Sequence, residues 1–98
     1  MTDRKPYIIC GGSTGRAVVY GYCDSEPQTD QPTTIHRARM VLRWDGACGG
    51  LFGLAAGGPK GDTRLTAPVD RVTDTVRQSL TVTDEAAEAL DGWPGYVG

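Results

Sequence analysis

Asparagine is absent from the 98 residues, lysine occurs twice and histidine once. No apolar run approaches the roughly 20 residues of a membrane span, so no spanning helix is expected. The start, MTDRKPYIIC, has too few apolar residues after its charges for a secretory leader. The three cysteines, Cys10, Cys23 and Cys48, are odd in number and widely spaced, unlike a disulfide framework. Without a C-x-x-C or a second histidine there is no paired zinc ligand, and no metal site is expected. Net charge is −2 with a pI near 5.2, so the basic stripe of a protein that grips polymeric nucleic acid is missing. Gly53 and Gly58 have the outer spacing of a phosphate loop, but Pro59 stands where its lysine must follow. A dyad of His36 with one of the cysteines stays open by spacing. Small buried thiols and one surface imidazole are the simpler reading. No motif places a carboxylate pair either, so a binding protein is expected rather than an enzyme. It needs no cofactor, and the thiols should be reduced in a cytoplasm. Eight arginines against two lysines point to a GC-rich genome.

What is present suits one small domain spanning 1–98. At this length a fold buries little more than about 60% of its unfolded surface, so the core is thin. Residues 5–11 and 16–23 read as an antiparallel hairpin about the turn GGSTG at 11–15. Arg16, Val18, Tyr20 and Tyr22 share one face; Ala17, Val19, Gly21 and Cys23 share the other. Residues 24–34 read as a loop. Residues 35–44 (IHRARMVLRW) alternate, with Ala38, Met40, Leu42 and Trp44 on an apolar face and Arg37, Arg39, Val41 and Arg43 opposite. A helix fits 48–56, although it holds several glycines, each costing up to about 1 kcal/mol. Residues 69–82 form a strand interrupted at Asp74, with Val72, Val76, Leu80 and Val82 on one face. Thr83 caps an acidic-first helix that Gly92 ends. Trp93 and Tyr96 suit an anchor for the tail, either to the body of the domain or to another subunit. The fold class is therefore α+β: a small, curved antiparallel sheet of four to five strands, a short Gly-rich central helix and a C-terminal helix.

Half of the fourteen glycines fall within 46–61, directly after the arginine-rich strand. Guanidinium forks suit phosphate in charge and in bidentate geometry. Arg37, Arg39, Arg43 and Lys60 are the candidate phosphate ligands. Tyr20, Tyr22 and Trp44 are candidate stacking surfaces for a base. Gly49, Gly50, Gly57 and Gly58 would let backbone N–H groups approach an anion. Taken singly, outward arginines are more often a solvated face and strand tyrosines are more often packing. Together they favour an anionic, ring-containing ligand.

The central block resembles small phage and prophage proteins with an A-R-x-[IV]-x-x-W-x-G-A motif. Ala38, Arg39, Val41, Trp44, Gly46 and Ala47 carry it. Leu54, Ala55, Gly58 and Lys60 match a following L-A-x-x-G-x-K, and Thr83-Asp84-Glu85-Ala86 match a T-E-E-A helix. An early strand element matches loosely at Ala17, Val18 and Gly21. The likeness covers about residues 16–91. It departs where Leu42 and Arg43 replace a more aromatic stretch and where 49–53 is richer in glycine. Similar phage proteins include oligomeric sponges that bind, without cleaving, the nucleotide signals of bacterial defence: cyclic dinucleotides of CBASS and cyclic ADP-ribose isomers of Thoeris. The resemblance implies a sequestering protein in the host bacterial cytoplasm. Nanomolar binding requires about 12.3 kcal/mol. At about 0.3 kcal/mol per atom that demands nearly complete enclosure of a nucleotide. A homo-oligomer, a tetramer first of all, would supply it. The alternatives are inhibition of a host protein by direct contact, a minor virion component, and a nucleotide-cleaving enzyme.

Overall fold

A computed structural model describes residues 4–12 and 16–96. Residues 13–15 of the expected turn, and both chain ends, lie outside that range. The elements in order are β1 (Lys5–Gly11), β2 (Ala17–Cys23), β3 (Pro32–Arg43), a 3₁₀ turn (Gly46–Cys48), α1 (Gly50–Gly57), β4 (Arg64–Leu65), β5 (Val69–Thr81) and α2 (Asp84–Gly92). The expected α+β class holds. All strand pairs are antiparallel, in the order β2-β1-β5-β3-β4, and a β2–β3 pairing joins the ends of the four long strands. The sheet is therefore barrel-like, which removes most exposed edges. The expected loop at 24–34 is shorter, because β3 begins at Pro32.

Two apolar clusters follow from strand alternation. Tyr7, Ile9, Val19, Cys23, Ile35, Ala38 and Val76 fill the barrel. Ile8, Cys10, Val18, Tyr20 and Val41 face outward beneath the helices, against Leu54, Ala86, Ala87 and Leu90. The two faces expected for β2 are those observed. All three cysteines are free and buried.

β3 and β5 depart from simple alternation. Tyr22 pairs with His36, but Tyr20 pairs with Arg39, so β3 carries one residue more than β2 at this point. The extra residue is accommodated at Arg37, whose φ is +53°. A bulge reverses which residues face the core beyond it. Ile35 and Ala38 therefore both face the barrel interior; Arg39 and Val41 are buried on the other side, beneath the helices, and Met40 and Leu42, farther along the interior face, are 45% and 48% exposed. β5 has a similar slip at Arg77 rather than an interruption at Asp74: Cys10 pairs with Gln78, and Gly11 with Val76. Val72 and Val76 therefore join the barrel interior, and Leu80 and Val82 the helix side.

The helices are pinned by one residue. The Thr83 hydroxyl accepts from the Ala86 N–H at 3.1 Å, capping α2, and donates to the Ala56 carbonyl at 2.8 Å. Gly58, at φ +86°, turns the chain out of α1 where an added Cβ would lie 3.1 Å from Ala89 Cβ. Its glycine serves helix packing. Gly21 is tighter still: a Cβ there would lie 2.8 Å from the His36 carbonyl oxygen, opposite the bulge. Gly21→Ala is expected to lower stability by about 2 kcal/mol, as overpacking does. Urea denaturation checks this.

Candidate functional site

The expected cluster of three arginines is dispersed by the bulge, and each takes a different role. Arg39 is only 3% exposed. Its Nη1 donates to the Leu90 carbonyl at 2.6 Å and its Nε to the Thr66 carbonyl at 2.8 Å. These bonds tie the end of α2 to the segment after β4. Burial lowers its pKa, and the nearby Asp91 carboxylate opposes that shift. Arg39 is a structural cation, not a ligand contact. Tyr20 is likewise unable to stack on a base, being fully buried. Its hydroxyl donates to Asp91 Oδ1 at 2.9 Å, and that of Tyr22 to Asp91 Oδ2 at 2.6 Å. Desolvation first, then the hydrogen bonds and charge of this group, push the Tyr20 pKa upward.

Arg43 and Trp44 stay together. With Leu42, Arg64 and Tyr96 they line an open cleft of about 510 Å³. Arg43 comes from the end of β3 and pairs across the sheet with Arg64 of β4. The two like charges are held by one carboxylate: Arg43 Nε lies 3.1 Å from Asp62 Oδ2, and Arg64 Nε 3.3 Å from Asp62 Oδ1. A second carboxylate, Asp45, also acts on Arg43. Arg64 also lies over the Tyr96 ring at 4.7 Å and donates to its hydroxyl at 3.3 Å. The tail is fixed in place because Tyr96 N–H donates to the Leu65 carbonyl at 2.7 Å. Trp93 Nε1 donates to the Thr63 carbonyl at 2.8 Å. Both residues anchor the tail, as their types suggested.

Arg64 and Tyr96 are shared with a second cleft of about 550 Å³, lined also by Asp62, Thr63 and Trp93. The result is a two-lobed groove. Trp44 lies on one side, Trp93 on the other, and a guanidinium stands between them. Lys60, Gly49, Gly50, Gly57 and Gly58 line neither lobe. Gly49 and Gly50 instead take positive φ at the junction of the 3₁₀ turn with α1. Tyr22 and Arg37 line a separate cleft with His36. His36 is not on open surface: its side chain is 14% exposed and its Nε2 lies 3.4 Å from Asp24 Oδ2. Arg64, Asp62 and Tyr96 were not among the residues expected at the site. β4 has two residues, too few to show a strand period, and nothing local joins Tyr96 to Arg43.

The family model for a domain of unknown function, DUF6948, matches residues 4–90. The chain belongs to this family. Trp93 and Tyr96 lie beyond the matched segment of DUF6948, whereas Arg43, Trp44, Asp62 and Arg64 lie within it. No curated protein and no solved structure gives a significant match to the chain.

The groove's floor depends on Asp45. Its carboxylate accepts from the Ala47 N–H at 2.9 Å and the Asp62 N–H at 2.9 Å, joining the 3₁₀ turn to the segment that bears the arginine clamp. These bonds, chiefly the one from Ala47, hold its pKa below the usual 3.8. A depressed folded-state pKa contributes stability above the unfolded value, and that contribution is lost as pH falls through the folded one. The stability gap between wild type and Asp45→Ala should therefore be constant above about pH 5 and narrow as pH falls below it. Urea midpoints measured across that range check the sign.

Proposed function

We propose that the protein binds and sequesters a small phosphorylated ligand with two ring systems, of the cyclic dinucleotide or cyclic ADP-ribose class, without cleaving it. The observation that carries this reading is the groove itself: two guanidinium groups clamped by Asp62, with Tyr96 between a tryptophan on either side. Guanidinium groups pair with phosphate oxygens, and rings stack on aromatic faces at about 1–3 kcal/mol each. Arg43 uses its Nε on Asp62, leaving its terminal nitrogens for phosphate. Lys60, Gly49, Gly50, Gly57 and Gly58 have no part in this site.

The groove is open on one side, so a further copy of the chain is proposed to close it. Met40, Leu42 and Val69 support this: Val69 pairs with Ala38 and Met40 with Val19, so all three continue the barrel's interior face to where it becomes exposed, and Leu42 lines the cleft. A symmetric oligomer, a tetramer first of all, would bury that face. The proposed setting is a phage protein acting in the host bacterial cytoplasm against CBASS or Thoeris signalling. No helix among the described residues is long and apolar enough to cross a membrane.

A second reading is inhibition of a host protein by direct contact. Phe52, 70% exposed on α1, favours it. Isothermal titration with cyclic dinucleotides and cyclic ADP-ribose isomers, followed by mass spectrometry of the recovered ligand, decides between them. Saturable heat with intact ligand supports sequestration. Flat traces throughout refute it, and a cleaved product would make the protein an enzyme.

A further inference from the structure

The bulge at Arg37 has a use distinct from the groove. A left-handed backbone is costly for any residue with a Cβ, and glycine would adopt it freely. An exposed arginine occupies it instead. Strain of this kind persists where the side chain it aims is needed. Among the described residues Arg37 makes no hydrogen bond or ion pair. Its charge acts on Tyr22, whose pKa it lowers against the larger upward effect of burial. Arg37, Tyr22, His36, Arg4 and Asp91 line a cleft of about 300 Å³ that shares no residue with the two-lobed groove.

The charges in this cleft are arranged in opposition. Arg4 is neutralised by Asp24, its Nε 2.9 Å from Oδ1, and the same carboxylate faces His36. Arg37 is left as the unpaired cation. Asp91 sits across from it, at the end of α2. Each Asp91 oxygen accepts one tyrosine hydroxyl, from Tyr20 and from Tyr22. A carboxylate offers about four acceptor positions, so both oxygens retain capacity. Arg39 attracts Asp91 from its buried side, yet an anion alone on Arg37 would still share the cleft with a carboxylate. A ligand carrying a carboxylate and an ammonium group satisfies both ends.

We infer that the Arg37–Asp91 cleft is a second binding site, for a small zwitterion of the free amino acid class, with carboxylate on Arg37 and ammonium on Asp91. The volume suits such a ligand and is small for a dinucleotide.

The test is titration of the full ¹⁵N-labelled chain with each of the free amino acids at millimolar concentration. At least one should give saturable shifts at Tyr22, Arg37 and the end of α2. Arg37→Gly relieves the backbone, so it should fold with an unchanged or higher unfolding midpoint while binding weakens at least tenfold. Asp91→Asn, and N-acetylation of the amino acid that binds, should each weaken binding to a similar degree. Absence of binding by every amino acid overturns the proposal. So does binding that survives Arg37→Gly, or an N-acetyl derivative that binds as well as its parent.

Discussion

Replacing Arg39 by methionine is expected to lower the free energy of unfolding by about 3–4 kcal/mol. The methionine stem can follow the path of the arginine's aliphatic portion, so little packing is lost. What is lost is the donor pair for the carbonyls of Leu90 and Thr66. The Thr66 carbonyl is left without a donor, at about 1–3 kcal/mol, and the Leu90 carbonyl keeps only the long 3.4 Å bond from the Trp93 N–H. For a domain of this size the midpoint should fall by roughly 12–30 °C. Arg39→Lys should recover only part, because one ammonium cannot reproduce the fixed fork that spans two carbonyls. Thermal and urea denaturation measure both. A change below about 0.5 kcal/mol for Arg39→Met, the ordinary range for surface positions, would show that water reaches these carbonyls.

The second large effect concerns the groove. Arg43→Gln and Arg64→Gln should each weaken nucleotide binding by about 10- to 100-fold, the equivalent of one charge-assisted bond of about 1.5–3 kcal/mol. Both side chains are substantially exposed, at 56% and 39%, so stability should change little. The two losses should not add, since Asp62 holds both guanidinium groups. Removing one frees Asp62 to pair more closely with the other. The double variant, measured by titration calorimetry beside the singles, exposes that coupling. Arg39→Met, by contrast, should keep wild-type affinity at temperatures where it remains folded.

The contrast between these two arginines shows what the sequence could and could not reveal. Most of the fold was legible because it rests on local rules: the two faces of β2, the Thr83 cap, and a helix near 48–56 despite its glycines, observed at Gly50–Gly57. The site was only partly legible because helices cover the face of β3 that carries Arg39, and a slip at Arg37 separates the residues before it from those after. IHRARMVLRW alternates cleanly as text, and an apolar face of Ala38, Met40, Leu42 and Trp44 is its natural reading. The bulge at Arg37 carries no glycine to announce it. Arg39 is held inward by the carbonyls of Leu90 and Thr66, acceptors supplied by segments 51 and 27 residues away. The same reasoning explains Tyr20, whose hydroxyl serves Asp91. Arg43 and Trp44 were found because they lie at the end of the strand, where it runs into the open cleft. Their partners Arg64 and Tyr96 come from a two-residue strand and a tail that only the tertiary fold brings beside them.

The chain's two tryptophans give the most direct reading of the groove, since Trp44 lines one lobe and Trp93 the other. Their indole N–H resonances can be followed while a cyclic dinucleotide is added to the ¹⁵N-labelled protein. Both signals should move saturably with one shared dissociation constant, and that constant should rise at least tenfold for both in the Arg43→Gln/Arg64→Gln variant. Indole signals that stay still at concentrations where calorimetry reports saturation, or no binding at all, would contradict a ligand held between the two lobes.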